Sequence, residues 1–258
     1  MSPGRTIVIG GGAAGLMAAG MAAQKASEVI LLEKMGQTGR KIGISGKGRC
    51  NLTNSAELVD FLSRFGKNGR FLRQCFQQFF SRELIAFFES KGLPLVTERG
   101  GRVFPESGRA LDVVKVLNNW LQTKHVVVKK TTSASAILVK NGRVSGVVCN
   151  GQTLACNNVI LATGGKSYPR TGSTGDGYNL AENLGHAIVP LRPALVPLIS
   201  RDSLVHRMAG LELRNVKVRL YLDGKRKGQE FGELSFTGFG LTGPVILTLS
   251  SRIVNALD

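Results

Sequence analysis

The sequence is poor in acidic residues, has few histidines, and lacks closely spaced cysteines and long apolar runs. Its four cysteines are scattered, with no CxxC pair and no Cys/His spacing suited to zinc, so we expect neither a disulfide framework nor a metal site. No apolar run reaches the roughly 18 residues that a membrane-spanning helix needs, and the first residues do not form a signal peptide. We therefore expect a cytoplasmic protein that does not enter a membrane.

The shortage of acids leaves a large positive charge. The 258 residues include 34 Lys and Arg against 17 Asp and Glu, a net charge of +17. A charge of this size attracts polyanions, and RNA is a candidate partner. The alternative is that the cations cover a solvated surface or serve a phosphate-bearing cofactor. The sequence contains no aromatic-rich RNP stretch and no zinc finger, so charge alone leaves both interpretations open.

The first chemical motif lies near the N-terminus, in "TIVIGGGAAGLMAAG". It predicts a short strand from Thr6 to Ile9, a glycine turn and an alanine-rich helix. Gly10, Gly12 and Gly15 form the pattern G-x-G-x-x-G in the context that a dinucleotide-binding site needs. Gly10 allows the turn, Gly12 lets the backbone approach a pyrophosphate, and Gly15 lets the helix pack closely on the sheet. The helix N-terminus then attracts the phosphates.

A second strand, "EVILLEK", ends at Glu33. A carboxylate roughly 20 residues beyond the glycines accepts hydrogen bonds from a ribose diol. It disfavours a bound 2′-phosphate, which leaves FAD and NAD(H) as candidates.

A basic segment follows this strand, "RKIGISGKGRCNLTN", residues 40–54. Residues 34–56 contain no acid and five cations: Lys34, Arg40, Lys41, Lys47 and Arg49. A glycine-rich segment of this kind can wrap a diphosphate and the polar chain joined to it, which suits FAD. The alternative is a basic surface loop that touches RNA.

A third segment, "VILATGGKSYPRTGSTGDGY", predicts a buried strand that runs into Thr163, Gly164 and Gly165. This turn would approach the same dinucleotide from the next strand. Asp176 then stands at a helix start, where it can cap the helix or bond a cofactor hydroxyl, and the sequence does not choose between the two.

The other segments predict the domain organisation. Apolar spacing predicts helices inserted over 58–106, with their aromatic side chains as core, and a turn-rich loop at 97–109. A helix at 110–121 and an antiparallel meander at 126–155 follow. From about 191 onward we expect short strands, with "LDGKRKG" as a hairpin turn. The predicted domains are 1–57 with 107–190 for the cofactor, interrupted by 58–106, and 191–258 as a partial β-rich substrate domain.

Taken together, these residues resemble the aminoacetone oxidase-like FAD-binding flavoproteins, also called YhiN-like or BaiN-like. The matching runs include "GGGAAGLMAA", "GRKIGISGKGRCNLTN", "GGRVFPES", "VILATGGKSYPRTGSTGDGY" and "GELSFTGFGLTGPVIL". The resemblance implies an α/β fold with a Rossmann-like FAD-binding domain of glutathione-reductase type and the start of a second β-rich domain. It implies an FAD-dependent oxidoreductase for a small-molecule substrate, a small amine or ketone or an enone, with NAD(P)H as a candidate electron donor.

The motifs and the resemblance together give a set of expected cofactor-binding residues: Gly10, Gly12, Ala14, Gly15, Glu33, Lys34, Arg40, Lys41, Ser45, Gly48, Arg49, Cys50, Asn51, Ala134, Thr163, Gly164, Gly165 and Asp176. Ala134 enters through the resemblance, which places it beside the adenine. Cys50 would lie near the flavin, but it has no neighbouring thiol, so we expect a packing role and no disulfide chemistry.

Two departures from the family pattern matter. Family members are longer and return to the first domain with a glycine-rich segment over the flavin, so we expect an incomplete flavin pocket unless a second polypeptide completes it. Gly238 stands where the family usually has histidine, and no catalytic acid or base is assigned. Three functions therefore stay open: a small-molecule flavin oxidoreductase, a flavoenzyme that reduces uridine in RNA, and a flavin-, ADP- or RNA-binding protein without catalysis.

Overall fold

The computed structural model describes residues 4–254 and residue 256, without the side chain of Lys67. The chain forms two units, Met1–Ile188 and Val189–Asp258. The last residues of the predicted second domain, 255, 257 and 258, lie outside the described residues. The domain bounds given above stay a prediction. None of the described helices is long and apolar enough to cross a membrane.

The first unit contains ten strands and seven α-helices among its described residues. The strands are β1 (Arg5–Ile9), β2 (Glu28–Leu32), β3 (Thr53–Asn54), β4 (Leu95–Glu98), β5 (Arg102–Pro105), β6 (Val127–Lys129), β7 (Ala134–Lys140), β8 (Arg143–Cys149), β9 (Gln152–Ala155) and β10 (Asn158–Leu161). The helices are α1 (Ala13–Ala22), α2 (Arg40–Ile44), α3 (Leu58–Ser63), α4 (Gly69–Gln78), α5 (Ser81–Glu89), α6 (Ala110–Thr123) and α7 (Asp176–Glu182). Short 3₁₀ turns span Ser45–Gly48, Gly66–Asn68 and Pro169–Thr171.

A parallel sheet in the order β10-β1-β2-β6 forms the centre of this unit. Successive side chains of β1 point to opposite faces. Val8 joins the core under α1 and α6, whereas Ile7 and Ile9 join the core under the β7–β9 meander. The sheet is therefore covered on both sides, which confirms the predicted α/β, Rossmann-like fold.

Two sequence predictions need correction here. The segment predicted as a turn-rich loop at 97–109 contains the turn and the second strand of a hairpin: β4 and β5 pair with each other and β5 pairs with β3. The turn uses Gly100 and Gly101, both with positive φ, and Val103 and Phe104 are buried. The meander begins at residue 134 and not at 126, because 127–129 joins the parallel sheet beside β2.

Helices α3, α4 and α5 lie in the predicted insertion. Their aromatic side chains pack partly as expected: Phe61 contacts Phe76 and Phe80 edge to face, with ring centroids 5.4 and 5.0 Å apart. Phe88 is buried. Phe65, Phe71 and Phe79, in contrast, are 43%, 85% and 38% exposed, so the core prediction is wrong for these three residues.

The second unit is an antiparallel sheet in the order β11-β14-β13-β12. Its elements are β11 (Leu198–Ile199), α8 (Ser203–Arg207), β12 (Glu212–Leu222), β13 (Lys225–Thr237), β14 (Gly240–Thr242) and α9 (Pro244–Val254). The turn between β12 and β13 places Asp223 and Gly224 at positive φ, as the predicted Asp-Gly hairpin requires. Helix α9, which the sequence analysis missed, packs on β13 and buries Val245 and Leu249.

Candidate cofactor site

A cleft of about 810 Å³ opens in the first unit, at the C-terminal ends of β1, β2 and β10. The last residue of each of these strands, Ile9, Leu32 and Leu161, lines it. In open α/β sheets ligands bind outside the carboxyl ends of the strands. The fold thus brings the three predicted motifs to one place.

The glycine loop forms one wall of the cleft. Gly10 has φ +106, and a Cβ built on it would lie 2.5 Å from the Ala162 carbonyl oxygen. A Cβ on Gly15 would lie 1.7 Å from the Gly10 carbonyl oxygen, so only glycine lets α1 approach the turn this closely. A Cβ on Gly12 would meet nothing within 4 Å. No side chain of the described residues caps α1, so its first N–H groups can bind an anion.

Glu33 follows β2 and is 9% exposed. Its Oε2 accepts a hydrogen bond from the Gly11 N–H at 2.7 Å, and its Oε1 accepts one from the Met35 N–H at 2.7 Å. These bonds fix the orientation of the carboxylate. Each oxygen keeps a further lone pair, with which it can accept a hydrogen bond from a sugar hydroxyl.

The basic segment has protein partners that the sequence analysis did not foresee. Arg40 Nη2 donates to the Arg170 carbonyl oxygen at 3.1 Å, and Lys41 Nζ donates to the Ser167 carbonyl oxygen at 2.7 Å. Burial lowers the pKa of Lys41. Both side chains still line the cleft, but their hydrogen bonds hold another part of the chain.

Asp176 does not cap a helix, so the capping interpretation is wrong. It is the first residue of α7, whose N-cap is Gly175. Its carboxylate accepts hydrogen bonds from Lys34 Nζ and Thr174 Oγ1, each at 2.5 Å. Burial acts to raise the pKa of Asp176, but the hydrogen bonds from Lys34 and Thr174 outweigh it and hold the pKa below its usual value.

Most of the predicted cofactor-binding residues line the cleft: Gly10, Gly12, Ala14, Glu33, Lys34, Arg40, Lys41, Ser45, Cys50, Asn51, Ala134, Thr163, Gly164 and Asp176. Four lie outside the lining: Gly15, Gly48, Arg49 and Gly165. Gly15 packs against the backbone of Gly10 in the glycine turn. The Arg49 guanidinium stacks 4.3 Å from the centre of the Phe104 ring and pairs with Glu98, so it supports the β4–β5 hairpin instead.

Part of the cleft lining is an apolar wall that was not predicted as part of a site. It is formed by Met17, Ile42, Leu84, Phe88, Val113 and Leu117. Cys50 joins this wall, is 5% exposed, and adopts φ +60. Burial raises the pKa of its thiol, partly offset by a hydrogen bond with Ser45, so the thiolate is disfavoured. Hydrophobic periodicity identifies such residues only as core, because a core wall and a cleft wall have the same pattern.

None of the three histidines lies at the cleft. His125, His186 and His206 are exposed and do not line the cleft, and Gly238 lies in the turn between β13 and β14 of the second unit. Among the described residues, no group of His, Cys, Asp and Glu side chains could hold a metal ion.

Comparison with known proteins identifies relatives over almost the whole chain. Residues 4–248 match the HI0933-like protein Rossmann domain. The chain is 35% identical to a 3-dehydro-bile acid delta(4,6)-reductase of Clostridium scindens, over 97% of the chain and 60% of that protein. It is 30% identical to a ribosomal RNA dihydrouridine synthase of Escherichia coli, over 95% of the chain and 60% of that protein. The chain therefore spans about 60% of the length of these curated relatives.

A solved structure supports the fold. The open conformation of a flavocytochrome c3 fumarate reductase aligns with a TM-score of 0.53 and 20% identity, over 83% of this chain and 47% of the other. At this identity the likeness concerns the fold alone.

The residues of the cleft fit an FAD molecule. The open surface at Gly12 and the uncapped end of α1 suit a pyrophosphate, the buried Glu33 suits a ribose, and the apolar wall suits an extended aromatic ring system. With this fit and the match over residues 4–248, the chain belongs to the HI0933-like family of FAD-binding Rossmann-fold proteins.

Proposed function

We propose that this chain is the cofactor-binding part of an FAD-dependent reductase whose substrate is an enone. The observation that carries the proposal is the cleft at the ends of β1, β2 and β10, where glycine loop, buried glutamate and apolar wall meet. The enone class is supported by the Clostridium scindens relative, which is named as a reductase of a 3-dehydro-bile acid. Small amines and ketones are the alternative substrate classes for such an FAD-dependent oxidoreductase.

The chain's own residues have separate tasks in this mechanism. FAD supplies hydride transfer when it is bound. Gly12 and the first N–H groups of α1 would hold the pyrophosphate, and Glu33 would accept hydrogen bonds from the ribose. Leu84 and Phe88 would help to exclude water from the bound flavin, because they contribute apolar surface to the cleft. No residue is assigned as a proton donor.

The proposal is tested by flavin titration and anaerobic reduction. We expect the purified chain to retain FAD through gel filtration, NADH or NADPH to bleach the bound flavin, and 2-cyclohexen-1-one to restore its colour. An amine substrate would do the opposite, since benzylamine would then bleach oxidised flavin. A folded chain that retains no flavin at saturating FAD would contradict the proposal and favour a protein without catalysis. Free FAD under the same conditions is the control.

A second candidate, reduction of uridine in RNA, is favoured by one surface of the second unit. In the β12–β13 hairpin, Lys217 pairs with Phe231, and Tyr221 pairs with Arg226. Cross-strand partners lie on the same face. Tyr221 and Phe231 are 53% and 65% exposed. Arg219, which pairs with Gln229 between them, is also exposed, and Lys217, Arg219 and Arg226 form no ion pair with a described residue. Exposed rings beside cations suit stacked bases and phosphates of single-stranded RNA.

Salt dependence tests this second candidate. We expect a single-stranded RNA to bind more weakly as salt rises, and the triple variant K217Q/R219Q/R226Q to flatten the log–log slope by about 2, because each lost phosphate contact removes roughly 0.7. The matched control K124Q/K130Q/K140Q removes the same charge from exposed positions in the first unit. Equal slopes for wild type and the hairpin variant, or no binding at low salt, would eliminate the RNA candidate.

A further inference from the structure

Three cations of one segment donate hydrogen bonds to a single distant segment. Lys34 Nζ donates to Asp176 and to Thr174 Oγ1, both at 2.5 Å. Arg40 donates to the Arg170 carbonyl oxygen at 3.1 Å. Lys41 donates to the Ser167 carbonyl oxygen at 2.7 Å and to its Oγ at 3.3 Å. All the acceptors lie within residues 167–176, which we call the strap.

The strap and the cations follow different strands of the parallel sheet, and both line the cleft. Lys34, Arg40 and Lys41 follow β2, whereas the strap follows β10. The cleft is lined by residues from both sides, among them all three cations and Thr171, Gly172, Ser173 and Asp176 of the strap. The hydrogen bonds therefore join two segments that both line the cleft.

The backbone hydrogen bonds of the strap are local and do not tie it to the rest of the described chain. Before α7 begins, its only regular element is the 3₁₀ turn Pro169–Thr171, held by bonds such as Gly172 N to the Pro169 oxygen at 2.9 Å. Tyr168, Gly172 and Gly175 have positive φ, and the Tyr168 side chain is 66% exposed. A segment with few buried apolar contacts opens readily. Hydrogen bonds from charged donors are about twice as strong as neutral ones, so the three cations supply the missing restraint.

These hydrogen bonds give Lys34, Arg40 and Lys41 a different role from the predicted one. The sequence predicts that Arg40 and Lys41 offset phosphate charge, but each donates a hydrogen bond to a backbone carbonyl. Building on the proposed FAD site, we propose that Lys34, Arg40 and Lys41 are positioning residues that hold the strap at the cleft and thereby set how long the cofactor stays bound.

Hydrogen exchange of the strap tests this proposal without any cofactor. In the protein without added FAD, Arg40→Gln and Lys41→Met should each speed amide exchange in residues 167–176 by roughly tenfold, the factor that corresponds to losing a hydrogen bond to a charged group. These two variants leave only neutral acceptors without their donor, namely the Arg170 and Ser167 carbonyl oxygens and the Ser167 hydroxyl. Lys41→Arg, which retains a cationic donor, should restore slow exchange. Lys25→Met, at an exposed lysine with no ion pair to a described residue, is the matched control and should leave exchange unchanged.

Dissociation of FAD gives the second measurement. The same variants should release FAD about tenfold faster while the affinity for ADP changes little, since a strap acts on departure and not on phosphate recognition. Unchanged exchange in the strap, together with weaker binding of both ADP and FAD, would overturn the proposal and make the cations direct phosphate ligands. A chain that binds no FAD would defeat the proposed function, but the exchange result would still decide whether the cations hold the strap. Circular dichroism of each variant confirms that it folds.

Discussion

Replacing Gly15 by alanine is expected to abolish FAD binding and to destabilise the first unit. The new Cβ would lie 1.7 Å from the Gly10 carbonyl oxygen and 2.9 Å from its carbon. Both atoms are backbone, so no side chain can rotate away and α1 must move off the sheet. The shift would loosen Leu16 and Ala19, which are fully buried in the core. We expect a loss of about 1–3 kcal/mol or more in the free energy of unfolding, measured by urea denaturation.

Gly12→Ala is the matched control for this variant. A Cβ at Gly12 would meet nothing within 4 Å, and its φ of −79° suits alanine. The free energy of unfolding should stay within about 0.5 kcal/mol of wild type. Its methyl group would nevertheless occupy the surface where the pyrophosphate approaches, so FAD affinity should fall. A G15A protein as stable as G12A would show that the close approach of α1 to the turn is not required.

Replacing Glu33 by alanine should weaken both the fold and the cofactor site. The N–H groups of Gly11 and Met35 would lose their acceptor, and one unpaired buried donor costs about 1–3 kcal/mol. The ribose would also lose an ionised acceptor, which corresponds to a roughly 10- to 100-fold weaker affinity for FAD. Glu33→Gln retains one carbonyl oxygen and should lose less of both. Urea denaturation and flavin fluorescence titration measure the two effects separately.

The control for Glu33 is Glu28→Gln, at the start of the strand that Glu33 follows. Glu28 pairs with Arg5, but both side chains are about two-fifths exposed, and such a surface pair contributes about 0–1 kcal/mol. E28Q should therefore bind FAD like wild type. If E33A keeps wild-type stability while FAD binding is lost, Glu33 serves the cofactor alone, and its backbone bonds do not hold the loop.

The sequence predicts those parts of the site that depend on residue types and short spacings along the chain. The turn at Gly10, the helix behind it and the carboxylate of Glu33 follow from residue type and spacing along two adjacent strands. The partners of the cations were missed because Lys34 and Asp176 are separated by 142 positions, and Lys41 and Ser167 by 126. A basic segment looks the same in sequence whether its side chains face a phosphate or a carbonyl.

The wrong predictions for the β4–β5 hairpin and for Arg49 have similar physical causes. The β4–β5 hairpin turns at two glycines inside a run of charged residues, which in sequence resembles an irregular loop. Arg49 belongs to the cofactor motif by position, but the ring of Phe104 and the carboxylate of Glu98 attract it elsewhere. In both cases the decisive neighbour comes from another element, and no local pattern encodes it.

The alternation of side chains along β1 also limits where residues can be inserted or deleted. One strand supplies Val8 to one core and Ile7 and Ile9 to the other, and the glycine turn begins at the next residue. An insertion or deletion of a single residue between Arg5 and Gly10 would exchange the two faces and rotate the loop away from Glu33. Hairpin tips such as Asn141–Gly142 lack this constraint, because a longer tip changes neither core. Gaps in related chains should therefore collect at the tips and avoid the short distance between β1 and the cofactor loop.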